Sequence, residues 1–394
     1  MKSHSISTAM KNLFIFAVLL SFYTSYGIVR NVSKSTSSLP IIATSIVKSQ
    51  LDTSVIKSYQ HYINKAEVCI TKSEFFEAST YYNSAFSLPT MAFAQDIYNA
   101  SICELELNNY LKTIDYCLML VDKGALKEFF SKNSYRKLRG NQRHWDEFNQ
   151  QYPARRISFL AKTDTALVKQ IKQMIVADQN FFCERPQRLK DNLFLDSLFV
   201  NNQYLSNHLT TLLRKHGYLS EDIIGANFTD TTLSIYPIFN VLIRHHYQLK
   251  QYDLSSLLSS AMLEGKLKPE LFCSWYNFEK KPIGYGEDFF VVRYKCNLYQ
   301  ARNESIRPKI EANRKAMWLP NLEELKAKLI YKYCSDGYKF IFYAPLSILP
   351  KMDEKSEMSF KTFNTPLPNK LLTCNWYFSI TSTWWAKSDS FVWS

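Results

Sequence analysis

The sequence predicts a mainly α-helical protein: a helix–turn–helix repeat module, a second mostly helical domain, and a small β-rich C-terminal tail. Three observations lead there. Gly is only 9 of 394 residues, too few for a fold built from tight turns and hairpins, which draw on Gly for positive φ. Apolar residues recur at helical spacing over most of the chain from 51 to 333,. A shift of 34 residues lays part of the chain over itself, and that is the period of a helix–turn–helix unit. An apolar content of 46% with 21% charged residues excludes disorder and collagen-like structure,.

Residues 1–27 read as a signal peptide. Lys2 and Lys11 give a positive start and no acid precedes Asp52. Leu13–Phe22 is a ten-residue apolar run, and Ser25-Tyr26-Gly27 puts small residues at −3 and −1 of a cut after Gly27,. The run is well short of the ~20 residues that span a bilayer. The expected localisation is therefore exported, periplasmic or extracellular, with no stable membrane insertion after cleavage. Residues 28–50, rich in Ser, Thr and Val, read as a linker.

Residues 51–150 form the repeat module. The 34-residue shift pairs Asn64 with Tyr98, Ala66 with Ala100, Cys69 with Cys103, Phe76 with Tyr110, Tyr82 with Tyr116 and Phe86 with Leu120. Small residues match small ones and bulky match bulky. Helices are expected near 52–71, 74–87, 91–107 and 110–123. The pattern resembles a pair of tetratricopeptide repeats, with Ala66 and Ala100 where one helix lets its neighbour approach. Two repeats bury too little core alone, so residues 125–150 are expected to cap them. Trp145 and Phe148 anchor that cap, with His144 exposed. Pro153 with Arg155-Arg156 marks a boundary.

The second domain runs from 160 to 333. Amphipathic helices are expected at 161–179 and at 188–216, the latter stopped by Gly217,. Residues 231–248 are mostly apolar with His245-His246 near the end, and helices follow at 252–264 ended by Gly265 and at 269–279 begun by Pro269. A turn at 283–286 leads to a strand at 289–292, and helices at 302–316 and 321–333 close the unit. In the tail, 334–394, the runs 338–343 and 376–381 are aromatic and β-branched and suggest strands,. Trp376, Trp384, Trp385 and Trp393, four of the seven tryptophans, also lie here.

Residues ~165–333 resemble an uncharacterised bacterial domain-of-unknown-function family of secreted proteins. The shared marks, in order, are Asp178-Gln179, Lys215-His216-Gly217-Tyr218, Ile224-Gly225, Ile243-Arg244-His245, Glu264-Gly265-Lys266, Lys268-Pro269-Glu270, Tyr285-Gly286, Glu311-Ala312-Asn313-Arg314 and Leu319-Pro320-Asn321-Leu322. The chain departs from the pattern in three places. Phe182 stands where the family has Arg, Asn277-Phe278 where it has Asp-Arg, and Glu287-Asp288 where it has Thr-Gln.

The candidate chemistry lies in the same region. His245, at the end of an apolar helix, can act as a general base when Asp178 or Glu287 orients it. Arg314 can hold an anionic group through its guanidinium fork. Tyr285 and His246 complete the candidate binding set, with His246 expected to face solvent. The competing reading is a buried polar network in which His245, Asp178 and Arg314 tie helices together. Adjacent His245 and His246 diverge by about 100° on a helix, so they form no metal pair. No phosphate loop, dinucleotide fingerprint, zinc-protease or Ser-hydrolase motif occurs,, so no cofactor or metal is expected.

The net charge of +13 raises nucleic acid as a partner,. The clusters Arg136-Lys137-Arg139-Arg143, Arg155-Arg156 and Arg185-Arg188-Lys190 carry no recognition motif and read as solvated faces. Eight cysteines without a CxxC pair read as small buried hydrophobes. The best-placed bridge, if one forms, is among Cys69, Cys103 and Cys117. Four glycosylation sequons, at Asn31, Asn99, Asn227 and Asn303, read as chance occurrences in a bacterial family. The function expected is an exported envelope protein that binds or scaffolds a protein or peptide through helical repeats. The alternative is a hydrolase-like enzyme acting on envelope material with His245 and an acidic partner. The sequence sets no oligomeric state.

Overall fold

The computed structural model describes residues 53–188, 192–249, 253–279, 284–286, 289–293, 297–300, 304–335, 339–343, 347–348 and 361–362. Residues 1–52, which hold the expected signal peptide and linker, Glu287-Asp288 and nearly all of the tail beyond 348 lie outside these residues. Within them the chain is mainly helical.

Two helical hairpins open the fold: α1 (Ser54–Thr71) with α2 (Phe75–Phe86), and α3 (Ala94–Glu106) with α4 (Tyr110–Val121). Tight turns close both. Ser73 and Asn108 each adopt positive φ, 64° and 57°, and the following amides return to helix carbonyls, Glu74 N–H to Cys69 O and Asn109 N–H to Glu104 O,. The two turns are one residue further apart than the 34-residue shift. Ala66 (0% exposed) and Ala100 (1%) are wedged inside.

Two 3₁₀ turns and a short helix, α5 (Arg136–Gly140), lead into α6 (Gln142–Lys162). Phe129, Phe130, Tyr135 and Phe148 are fully buried there, and Trp145 stacks on Phe148 at 5.2 Å. This is the expected cap. Two local expectations fail. His144 is half-buried and stacked on Tyr110 at 5.1 Å. Pro153 lies inside α6 and marks no boundary. It is itself exposed, so its ring meets no packed neighbour and the helix runs on through it. The break comes at Thr163-Asp164, where Asp164 Oδ1 accepts from Leu167 N–H at 2.9 Å,.

The second region carries α7 (Thr165–Arg188), α8 (Asn192–His216), α9 (Glu221–Ile224), α10 (Asn240–Leu249), α11 (Ser255–Leu263) and α12 (Pro269–Glu279). Within the apolar stretch 231–248 the helix begins only at Asn240, because Pro237 closes an irregular loop before it. That loop is held by a turn at Thr229–Thr232 and a bridge between Phe228 and Leu233. Strands β1 (Phe290–Arg293) and β2 (Asn297–Gln300) pair antiparallel. Helices α13 (Arg307–Ala316) and α14 (Leu322–Cys334) follow. Helix α14 opens on a capping box, in which Asn321 accepts from Glu324 N–H and Glu324 accepts from Asn321 N–H,. Two-residue strands at Ser347–Ile348 and Lys361–Thr362 flank the hairpin in the order 347–348, β1, β2, 361–362.

Three apolar cores each draw on regions far apart in sequence. The hairpin core, from Tyr59 to Phe148, also takes in Leu233, Phe340 and Phe342. A second core runs from Leu167 to Trp275 and reaches Tyr343. A third joins Phe289 and Phe290 to Ile310, Leu322, Leu325 and Leu329.

The strand expected at 338–343 is not paired with another strand over its described part, 339–343. It is extended against helix α3, which supplies its hydrogen bonds from side chains. The bridge considered among Cys69, Cys103 and Cys117 is absent. All three are buried and unbridged, because each fills a tight helix–helix contact as a small hydrophobe. Burial pushes the thiols of Cys103 and Cys117 up.

Candidate functional site

The predicted site residues fall into two separate settings. Helix α7 carries Asp178 and helix α10 carries His245 and His246. Asp178 Oδ1 lies 2.5 Å from His245 Nδ1, and its other oxygen accepts from Gln179 Nε2 at 2.6 Å. The carboxylate is 1% exposed and the imidazole 12%. His246 is buried, against expectation. It shares the face of α10 with Leu242 and Ile243, which turns toward α8, and its Nδ1 lies 2.6 Å from Ser206 Oγ. The adjacent histidines thus bond to different helices.

Arg314 is also buried, and it bonds two backbone carbonyls. Nε donates to Pro320 O at 2.5 Å and an Nη to Tyr285 O at 2.6 Å. The guanidinium fixes the loop before α14 and the turn at Tyr285-Gly286. Gly286 has φ +68°, and a Cβ there would meet Ile310 Cγ2 at 2.6 Å, so this turn requires glycine. Tyr285 packs against the second core. Glu287 lies outside the described residues. His245 and Asp178 are brought together as the sequence suggested, while Arg314 holds a loop.

The densest polar site was not among the candidates. It lies on the faces of α1 and α3 that meet the C-terminal part of the chain. Lys268 Nζ contacts Asp96 Oδ1 at 2.6 Å and Gln95 Oε1 at 3.1 Å. Tyr59 OH donates to the other Asp96 oxygen at 2.8 Å. Lys328 Nζ reaches Glu67 at 2.6 Å and Asn64 at 2.7 Å, and Asn64 Nδ2 donates to Glu324 at 2.8 Å. Glu221 accepts from Ala94 N–H at 2.8 Å at the start of α3, where the helix dipole favours an anion. Asp96 is 0% exposed, Lys328 1% and Glu67 4%.

The electrostatics follow from that burial. Burial raises the Glu67 carboxyl, although Lys328 and Lys268 pull it down. Burial works to lower Lys268, but Asp96, Glu270 and Glu67 outweigh it and leave the ammonium held above its ordinary value. Burial and then Asp96 drive the Tyr59 hydroxyl well up. One sequence signal marked this site: Gln95, Asp96, Asn99, Ser101 and Glu104 are polar residues interleaved with apolar and aromatic ones in a single helix, too many for one solvated face.

The same faces grip residues 339–343. Asn99 Nδ2 donates to Ile341 O and Ile341 N–H donates to Asn99 Oδ1, both at 2.8 Å. Gln95 Nε2 donates to Ile341 O at 2.8 Å and Tyr98 OH to Lys339 O at 2.7 Å. Lys339 Nζ bonds Glu106, which also binds Lys137 at 3.1 Å. Phe340 and Phe342 are fully buried and lie parallel, 6.5 Å apart at 12°. With this segment in place every residue of α3 from Ala94 to Leu105 is buried.

Among the described residues no group of His, Cys, Asp and Glu could hold a metal ion, and no helix is long and apolar enough to cross a membrane. No family model, curated protein or solved structure matches the chain.

Proposed function

We propose that this is an exported envelope protein that docks a protein or peptide on the inner face of its N-terminal hairpins, the face formed by α1 and α3. The hairpins act as tetratricopeptide-like repeat units, with Ala66 and Ala100 as the equivalent close-contact positions. One observation carries the reading. The Asn99 side chain takes both backbone groups of Ile341, which is how a helical surface grips an extended chain whatever its side chains. The surface is chemically equipped for a peptide.

The hydrolase alternative has less support. Asp178 is buried and bonded to His245 and Gln179, and Arg314 is bonded to two carbonyls. These are the marks of groups that tie elements together.

The test uses the chain from residue 28 onward with a photo-crosslinking amino acid at position 64, on the inner face, or at position 200, on the exposed side of α8. Each is irradiated in an envelope extract. A partner captured from position 64 and absent from position 200 supports the proposal. A partner captured only from position 200 moves docking to the second region and defeats it.

A further inference from the structure

We infer that the inner face selects an extended peptide with aromatic side chains at alternate positions and a lysine before the first, and that Lys339–Tyr343 is an intramolecular copy of that ligand. The inference rests on the docking reading above and names the class of partner.

The segment is bound as a ligand is bound. An extended chain alternates its side chains. Here the alternate residues Phe340 and Phe342 enter one aromatic pocket, while the carbonyls of Lys339 and Ile341 face α3. Phe340 stacks on Phe75 of α2 at 5.9 Å and meets Tyr331 of α14 at 6.2 Å; Phe342 meets Tyr331 at 5.5 Å. Glu106 takes the Lys339 ammonium. Tyr98, Asn99 and Gln95 read only backbone. Backbone contacts supply a grip independent of sequence, and the pocket with Glu106 supplies selection.

The pocket walls come from elements other than the segment. Phe75 belongs to the first hairpin, and Tyr331 belongs to α14, which Lys328 anchors to Glu67 and Asn64. Because the segment draws its hydrogen bonds from side chains, another segment of the same chemistry can replace it without breaking a sheet. The tethered copy has a high effective concentration, so a free peptide competes poorly until the copy is weakened.

The experiment uses the full chain and a fluorescent octapeptide of residues 337–344 (Gly-Tyr-Lys-Phe-Ile-Phe-Tyr-Ala), read by anisotropy. The double variant Phe340→Ser/Phe342→Ser weakens the tethered copy. It should bind the peptide saturably and at least tenfold more tightly than the unaltered chain. Adding Asn99→Ala should reduce that affinity at least tenfold through the lost amide contacts. A peptide with the two Phe residues made adjacent should bind at least tenfold more weakly.

No binding by the folded double variant, or equal binding of the rearranged peptide, overturns the inference. So does a dimer formed by exchanging the segment between copies that leaves no room for peptide. If circular dichroism shows the double variant unfolded, the unaltered chain is used with excess peptide. Faster amide exchange at 339–343 then supports displacement, and unchanged exchange overturns it. Crosslinking from position 64 is independent of the peptide. A partner captured there while the octapeptide fails would leave the docking reading standing and remove only this ligand class.

Discussion

Asn99 and Ile341, 242 residues apart, are joined by a reciprocal pair of 2.8 Å hydrogen bonds between one side-chain amide and the backbone N–H and C=O of one residue. Asparagine is suited to this because its amide carries a donor and an acceptor side by side, as a neighbouring strand would. Asn99→Ala removes both bonds and leaves a buried carbonyl and N–H underserved. The expected loss is about 2–3 kcal/mol of unfolding free energy, read as a lower urea midpoint at unchanged slope. Asn99→Asp should cost at least as much, since an acceptor-only group then faces the Ile341 carbonyl. Wild-type stability in either variant would show that the segment is not held by this contact.

The Lys268–Asp96 pair makes a second prediction. Both groups are buried, and Asp96 also accepts from Tyr59. Lys268→Met leaves a carboxylate without its cation and should destabilise by about 3–5 kcal/mol. Asp96→Asn in the same chain should recover part of that loss, because a neutral amide can still accept from Tyr59. Denaturant melts of the two single variants and the double variant give the coupling directly. Additive losses would mean that the two charges do not support one another.

Alkaline pH separates two sets of groups. Burial raises the thiols of Cys103 and Cys117 above the ~8.5 of an unfolded cysteine. Their contribution is complete below about pH 8.5 and fades as the unfolded thiols ionise first. Burial lowers Lys132 and Lys332 to about 8, against ~10.4 unfolded. Between those values the unfolded chain holds more protons, so these lysines make stability rise with pH. The two effects oppose each other. Replacing both lysines with Met should steepen the fall in stability above pH 8.5, and replacing both cysteines with Ala should flatten it. Melting temperatures from pH 7 to 10 provide the check, and unchanged slopes in both variants would discard the assignment.

Gly265 links the regions through a close approach. It has φ +71°, and a Cβ there would come within 2.6 Å of Ile56 Cδ1 and 2.7 Å of Thr90 Oγ1. Gly265→Ala therefore meets backbone strain and a clash together, and should cost about 2–4 kcal/mol. Gly217, at φ +73° with open space around it, carries only the strain, and Gly217→Ala should cost about 1–2 kcal/mol. Parallel thermal melts compare the two. A larger loss at 217 than at 265 would contradict the packing described.

Much of the helical content was legible because helix leaves a strong local trace: apolar spacing, Gly stops and the few glycines overall. The wedged Ala66 and Ala100 and the cap at Phe148 came from the same signal. Where the helix starts within 231–248 was not legible, because the apolar composition hid the stop imposed by Pro237. Pro153 was overread, since an exposed helix face absorbs a proline. The Asp178–His245 contact was anticipated, but the burial of His246 was not, because adjacent residues on a helix divide between two neighbours only tertiary structure supplies. The Glu67–Lys328 and Asp96–Lys268 pairs join partners more than 170 residues apart, and no local pattern reports such a pairing. The 339–343 run looked like a strand because it is extended and aromatic; that its partner is a helix could not be read from it.

Asn64, Glu67, Asp96 and Asn99 all wait for partners supplied by residues 268–341. A ribosome makes the acceptors long before the groups that satisfy them. For most of its synthesis the nascent chain must carry these side chains, and the apolar surface around them, against water or a chaperone. Closure between such remote stretches is slow because distant ends must find each other. Translation rate and holdase supply should therefore govern the yield of this protein more than its equilibrium stability does.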